Sequence, residues 1–267
     1  MGQSFSTARV IQAIRQPHAT PSLVQWIGWR YWGNSVRHLF QFVLFMLFLA
    51  PRLMAQTISP VIVEYREKAA GRIQFHNDTD FPLTVVLEPR SFTADSNGKP
   101  TFRELSPDVH LELSAMSFRV GPRQDHYVFY KASADKLPNW FCVYASITGP
   151  HTQEGIQVRL ELPHTVYLLG KKPGLAGDIT WLQTIFTPRG EKPKIEAVVE
   201  NRGSEVNRVR EVEVTSSSGK QTYEGFPLFP GQQRNIELEW DQPGLPQHIK
   251  LRFERFNSEA DLHESSR

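Results

Sequence analysis

The stretch "GIQVRLELPHTVYLL", residues 155–169, alternates apolar and polar side chains, which is the pattern of a β-strand. Its apolar positions are Ile156, Val158, Leu160 and Leu162, and the polar positions between them are Gln157, Arg159 and Glu161. By periodicity alone, such a strand is ordinary half-buried core of a sandwich. An exposed edge strand of the same pattern can instead add to the sheet of a partner. The alternation leaves both interpretations open.

The sequence before this stretch has the rhythm of an all-β domain. Short runs rich in Val, Ile, Phe, Tyr and Leu are broken by Gly, Pro, Asn or Asp, and long helical periodicity is absent. The predicted strands are 61–65, 72–76, 83–88, 109–113, 117–120, 127–131, 140–147 and 156–169. So many short antiparallel strands predict a β-sandwich over residues 56–169.

A second, smaller sandwich is expected after a short connector. The segment "GKKPGLAGD", residues 170–178, concentrates Gly, Pro and Lys, so we place a linker at 170–177. Strand-like runs then recur at 181–186, 194–199, 209–214, 235–240 and 249–253. They predict a C-terminal sandwich over 178–256, and the polar composition of 257–267 predicts a disordered tail.

Residues 1–55 have the composition of a targeting segment. They contain five arginines and no Asp or Glu, and an apolar run occupies 39–50. A helix of that length covers about 18 Å, less than the roughly 30 Å of a bilayer's hydrocarbon core. We therefore expect 1–55 to be a secretory signal cleaved after Ala55, with an uncleaved membrane anchor as the less favoured alternative.

The basic character of the full chain comes from this segment. The sequence has 30 Lys plus Arg and 28 Asp plus Glu, so 25 basic residues remain once the five arginines of 1–55 are set aside. Without a strongly basic surface, no nucleic-acid partner is expected. Cys142 is the one cysteine, so it forms no intramolecular disulfide, and its apolar surroundings predict a buried thiol.

No stretch has the pattern of a catalytic or cofactor site. The sequence lacks the common hydrolase, phosphate-loop and paired-cysteine motifs. The densest polar segment is "HNDTD", His76–Asp80, whose His and Asp side chains are potential metal ligands. Asn and Asp also satisfy their own backbone in turns, which is the favoured interpretation. We therefore predict a non-enzymatic protein without metal, cofactor or small-molecule substrate.

Three stretches resemble the PapD-like periplasmic pilus assembly chaperones. They are "IQFHNDTDFPLTVVLEP", residues 73–89, "SAMSFRVGPRQDHYVFYKASADKLPNWFCVYASITGP", residues 114–150, and the stretch quoted first. The likeness extends over 57–169 and, more loosely, over 178–256. It implies two immunoglobulin-like β-sandwich domains, export to the periplasm, pilus or similar secreted subunits as partners, and an outer-membrane usher as a further candidate partner.

The resemblance also implies a mechanism, donor-strand complementation. In this family, the last strand of the first domain lends alternate side chains to a subunit sandwich that lacks a strand. By position, the donor side chains here are Ile156, Val158 and Leu160, with Leu162 continuing the row. The alternative is a PapD-like module with a different use, as an envelope scaffold or an adhesion or surface-assembly part.

The sequence departs from the family at the charges that hold the subunit's terminal carboxylate. The family's Arg falls here on Val61 or Ile62, and its Lys falls on Thr165, so neither charge is present. Arg66 and His164 are near in sequence and are the candidate substitutes. The anchor itself stays unassigned.

Overall fold

The computed structural model describes residues 57–149, 159–188 and 192–265. The predicted signal segment 1–55 and the donor positions Ile156 and Val158 lie outside these residues. All described residues belong to one compact unit, Met54–Arg267. In the described part, no helix has the length and apolar character needed to cross a bilayer.

The first part of the chain forms two facing sheets. Its strands are β1 (Thr57–Ser59), β2 (Ile62–Arg66), β3 (Lys68–His76), β4 (Leu83–Ala94), β5 (Pro100–Glu104), β6 (Val109–Leu113), β7 (Ser117–Val120), β8 (Asp125–Ala134), β9 (Asn139–Thr148) and β10 (Arg159–Leu169). One sheet has the order β1-β3-β8-β6. The other has the order β2-β10-β9-β4-β5, with β7 also paired to β4.

The N-terminal segment connects these two sheets. Strand β1 pairs antiparallel with β3, whereas β2, directly after it, pairs parallel with β10 in the opposite sheet. The chain crosses between the sheets at Ser59 and Pro60, which are joined by a cis peptide bond. One short segment therefore borders both sheets of the sandwich.

Alternate residues of both sheets fill the space between them. Ile73 on β3, Val128 on β8, Phe141 on β9 and Val166 on β10 are all fully buried in one cluster. Burying a side chain of this size contributes about 1.5–3 kcal/mol. The apolar residues of the alternating sequence pattern thus point into the core, and the polar residues between them point to the outer face.

The second part of the chain forms a separate set of sheets. A turn of 3-10 helix, Ala176–Asp178, precedes β11 (Ile179–Thr187), β12 (Lys194–Asn201), β13 (Asn207–Arg208), β14 (Glu211–Thr215), β15 (Lys220–Glu224), β16 (Pro227–Leu228), β17 (Gln233–Glu239), β18 (His248–Arg252), β19 (Asn257–Asp261) and β20 (His263–Glu264). The main sheets are β17-β12-β11-β20 and β15-β14-β18-β19, and β13 pairs with β16. They enclose a core with Ile195, Val214, Trp240 and Leu251. The all-β prediction is confirmed, while the predicted linker at 170–177 stays a prediction.

The prediction of a disordered tail at 257–267 is wrong. Strand β19 pairs antiparallel with β18 along its whole length, and β20 pairs parallel with β11. Glu259 forms an ion pair with Lys250 across the ladder (2.9 Å), and Leu262 is buried. A polar segment can complete a sheet because backbone hydrogen bonds and one apolar contact suffice where an edge is already present.

Truncation of the chain after Phe256 tests the role of this tail. Removing β19, β20 and the buried Leu262 strips one edge from each sheet, so we expect the melting temperature to fall by at least about 5 °C. A chain that ends at Ser265 is the matched control and should melt as the full protein does. An unchanged melting temperature after the longer truncation would contradict the assignment of this strand to the fold.

Candidate functional site

Strand β10 has a neighbour along its whole length on one side and along half its length on the other. Strand β9 pairs with β10 from Arg159 to Leu168. Strand β2 pairs with it only from Thr165 to Leu169. Among the described residues, no strand pairs with 159–164 on the side away from β9. This half of β10 is therefore an open sheet edge.

A single hydrogen bond shows which backbone groups of β10 point away from β9 at the open edge. The Thr165 N–H donates to the Val61 carbonyl (2.7 Å), so residue 165 directs its backbone away from β9. Alternate residues of a strand share that direction, so Pro163, Glu161 and Arg159 do the same. Glu161 and Arg159 present both an N–H and a C=O, whereas Pro163 presents a C=O alone.

The apolar side chains on this half of β10 are only partly covered. Leu160 and Leu162 pack against the sandwich core, yet both remain half-buried rather than fully buried. On the opposite face, Arg159 forms an ion pair with Glu161 (3.3 Å) and donates to the Ser146 hydroxyl (2.9 Å). The structure therefore places two of the four sequence-predicted donor residues beside the open edge, while Ile156 and Val158 lie outside the described residues.

His164 lies where the open edge ends, and it is fully buried. Its Nδ1 atom is hydrogen-bonded to the Pro60 carbonyl, and its Nε2 atom lies 3.2 Å from the Tyr130 hydroxyl, which lies 3.2 Å from the Tyr65 hydroxyl. Burial lowers the pKa of His164, and the contact with Pro60 opposes this in part. Because His164 is enclosed within the sandwich, it does not present the accessible charge that an anchor for a carboxylate needs.

The tyrosine pair explains a glycine that the sequence did not mark as structural. Tyr65 and Tyr130 pack edge to face with ring centroids 6.4 Å apart. Gly71 lies against both hydroxyls, and a side chain at this position would overlap the Tyr65 oxygen. The hydroxyls and His164 satisfy one another inside the sandwich, as buried polar groups require.

The two positions that carry the anchoring charges in the resembled family are direct neighbours here. Ile62 on β2 is paired in register with Thr165 on β10. Ile62 is exposed, and neither residue is charged. Val61, the other position that the resemblance suggests for the Arg, accepts the Thr165 N–H through its carbonyl (2.7 Å) and is also uncharged.

Arginines surround the cleft beside Ile62. A cavity of about 420 Å³ is lined by Ile62, Glu64, Arg66, Arg208, Arg210 and Arg255. Glu64 is held by Arg210 (3.2 Å) and Arg208 (3.5 Å). Arg66 donates from Nη1 to the carbonyls of Gly170 (3.0 Å) and Lys171 (3.4 Å). The sequence analysis selected Arg66 but missed the arginines of 208–255, because they lie far away along the chain.

An aromatic cluster fixes the residues on either side of this cleft. Phe229 packs on Trp140 (ring centroids 4.4 Å apart), Phe92 (6.0 Å) and Tyr167 (6.2 Å). Cys142 belongs to the same cluster, and burial raises the pKa of its thiol to about 11. The prediction of a buried thiol is confirmed.

The polar segment at His76–Asp80 is a turn, as the sequence predicted. Asn77 is buried, and its Nδ2 donates to the carbonyls of Phe81 (2.8 Å), Gly121 (2.9 Å) and Val120 (3.2 Å). Its Oδ1 accepts from the Thr79 N–H (3.0 Å). Within 57–149, 159–188 and 192–265, no three His, Cys, Asp or Glu side chains gather in a way that could hold a metal ion.

Comparisons with known proteins give structural relatives but no sequence relatives. No protein-family model matches the sequence, and no curated protein matches it. Among solved structures, the chain is similar to the SafB chaperone of Salmonella enterica in complex with the SafA pilin, with a TM-score of 0.50, 16% identity, and coverage of 80% of this chain and 99% of that chain.

Two further chaperone structures match the chain. The class 5 fimbriae chaperone CfaA gives a TM-score of 0.48 at 10% identity, covering 78% of this chain and 99% of that one. The YadV chaperone gives 0.47 at 13% identity, covering 78% and 100%. The match to SafB confirms the predicted fold, which is the two-domain immunoglobulin-like fold of pilus chaperones.

Replacement of His164 by Gln tests the buried network. A histidine whose pKa is lowered on folding contributes stability that is complete above its unfolded pKa of about 6.5 and is lost as the pH falls below that value. We expect the free energy of unfolding of the native protein to drop more between about pH 7.5 and pH 5.5 than that of His164→Gln. Urea denaturation at both pH values measures this, and parallel pH dependences would show that His164 is not held neutral.

Proposed function

We propose that the protein is a chaperone of pilus or related surface subunits and that it acts by strand donation from the open half of β10. The observation that carries the proposal is the backbone of Arg159 and Glu161, which has no described partner on the side away from β9 and lies beside the half-covered Leu160 and Leu162. An open edge with side chains at every second position is a template for a strand of a partner. SafB is similar to this chain in fold, and its structure was solved in complex with a pilin, which supports a subunit-binding role for this chain.

Backbone pairing and side-chain burial contribute separately to such a complex. Arg159 and Glu161 offer the N–H and C=O groups that a partner strand needs, and Pro163 marks the end of the ladder because it has no N–H. Full burial of an apolar side chain contributes about 1.5–3 kcal/mol. Leu160 and Leu162 are already half-buried, so they contribute less than this, and Ile156 and Val158 are expected to supply the rest.

The arginine-lined cleft is the proposed anchor for the subunit's terminal carboxylate. Arg66 and Arg210 are exposed at the wall of the cavity that also contains Ile62, the family's position for the anchoring charge. Arg208 and Arg210 both pair with Glu64, and Arg210 also lies 3.8 Å from Glu254, but the Arg210 side chain is the more exposed of the two arginines (45% against 27%). Arginine forms charge-assisted, bidentate pairs with carboxylates, so Arg66 with Arg210 is suited to this role.

The proposal of a pilus chaperone also includes a cellular location, a route of export and a domain organisation. The protein is a non-enzymatic, periplasmic chaperone that needs no cofactor, reaches the periplasm through the signal segment 1–55, and consists of domains 56–169 and 178 onward joined by 170–177. An outer-membrane usher is a further proposed partner. A PapD-like envelope scaffold is the alternative function, and the absence of a bound secreted subunit in periplasmic extracts would favour it.

Substitution of Glu161 by Pro tests strand donation at the backbone. Proline removes an N–H that faces the open edge and leaves the ladder to β9 intact, so the fold should tolerate it as it tolerates Pro163. We expect the variant to lose the small secreted subunit that co-purifies with the native protein from periplasmic extract, as identified by mass spectrometry.

Glu161→Gln is the matched control, because it removes the same charge and keeps the N–H. It should retain the subunit, and both variants should melt close to the native protein. A stable Glu161→Pro variant that still carries its subunit would show that this edge is not the binding site.

The anchor is tested by the double substitution Arg66→Gln with Arg210→Gln. A charge-assisted hydrogen bond contributes about 1.5–3 kcal/mol, so we expect the affinity for the co-purified subunit to fall by about tenfold or more. Arg202→Gln, at an exposed ion pair with Glu200 (2.6 Å) outside the cleft, is the control. Equal affinity of the double variant and the control would exclude this cleft as the anchor.

A further inference from the structure

A second open flank lies on the C-terminal part of the fold, away from β10. Strand β17 is the edge of one sheet and β15 is the edge of the facing sheet. Between them lies a cavity of about 410 Å³. Its apolar walls are formed by Val212, Phe226, Ile236 and Leu238. The proposed strand donation does not use this cavity.

Arg234 is the charged residue inside this flank. Alternate residues of β17 turn toward the core, where Ile236 is buried, and Arg234 shares their direction. Its guanidinium carbon lies 5.0 Å from the centroid of the Phe226 ring. On its other side it touches Gly98, where a side chain would overlap Nη1. The guanidinium is thus held between an aromatic ring and a glycine.

One N–H of the partly buried Arg234 guanidinium lacks an acceptor. Its Nε atom is buried, and no described residue accepts a hydrogen bond from it. Burial lowers the pKa of Arg234, and the nearby Asp95 opposes this only in part. The Asp95 carboxylate instead accepts the backbone N–H groups of Asn97 (2.9 Å) and Lys99 (2.8 Å). A buried N–H without an acceptor is unfavourable, so its presence at Nε calls for an explanation.

The mouth of the cavity also exposes unpaired backbone. The Asn235 N–H donates to the Ser96 carbonyl (2.8 Å), so this residue turns its backbone away from β12. Glu237 turns the same way, and no described residue pairs with its backbone on that side. At the far end, the Glu239 carbonyl accepts from the Tyr223 hydroxyl (2.6 Å). Between these two hydrogen bonds, the N–H and C=O of Glu237 have no partner among the described residues on this side.

We propose that this flank binds a short extended peptide segment whose single carboxylate pairs with Arg234. The apolar walls fit the flanking side chains, and the free backbone of Glu237 fits the main chain of the segment. Glu224 and Glu237 are exposed at the mouth, so a basic residue next to the apolar part of the segment complements them. The expected ligand is an acidic residue between apolar residues, followed by Lys or Arg.

The test uses the full chain and a pair of capped peptides. The probe is acetyl-Val-Glu-Val-Lys-amide, and its counterpart has Gln in place of Glu. Binding is followed by amide chemical shifts in two-dimensional NMR. We expect the Glu peptide to bind at least about tenfold more tightly than the Gln peptide and to shift the Glu237 amide.

Arg234→Met removes the charge and replaces the aliphatic part of the arginine with an unbranched apolar side chain. We expect this variant to bind both peptides equally and to be at least as stable as the native protein, because it lacks an unpaired buried charge. Equal binding of the two peptides by the native protein, or binding of neither, would overturn the proposal. If Arg234→Met also dimerises, then the inward-pointing charge serves to block pairing at this edge instead.

Discussion

The structure depends on strand β10, which is paired on both sides over one half of its length and on one side over the other half. From Thr165 to Leu169, β10 lies between β9 and β2, and the Thr165 N–H is bonded to Val61. From Arg159 to His164, it keeps β9 and has no other described neighbour. The transition occurs because the N-terminal segment lies in the opposite sheet up to Ser59 and enters this sheet only after Pro60. A single strand is therefore anchored at one end and available at the other.

The residues around this transition keep the anchored half in place. Buried His164 connects Pro60 to Tyr130 and Tyr65, so the crossing of the N-terminal segment and the end of the open edge share one hydrogen-bonded network. Pro163 then removes the one N–H that would continue the ladder toward an outside strand. Rigid support on one side is what a binding edge requires, because ordering a flexible strand on binding weakens the complex.

The sequence predicted the strands well, since their alternation follows directly from burial on one face. The pairing of Ile62 with Thr165 was visible only in the structure, because the register between two strands so far apart in sequence is set by the fold. The sequence could not show which edge of β10 is open, because that depends on where a distant segment crosses. It could not show the burial of His164 for the same reason, because burial is set by the tertiary fold. The tail failed as a prediction because Asn257–Asp261 is held by a partner strand rather than by its own apolar content.

The central claim is that the backbone of Arg159 and Glu161 is unpaired until a partner binds. Residue-resolved hydrogen exchange in the isolated protein tests it directly, because protection follows hydrogen bonding. The account predicts alternation: the amides of Leu160, Leu162 and Thr165 exchange slowly, and those of Arg159 and Glu161 exchange fast. Protection of the Glu161 amide equal to that of Leu162 in the free protein would contradict it.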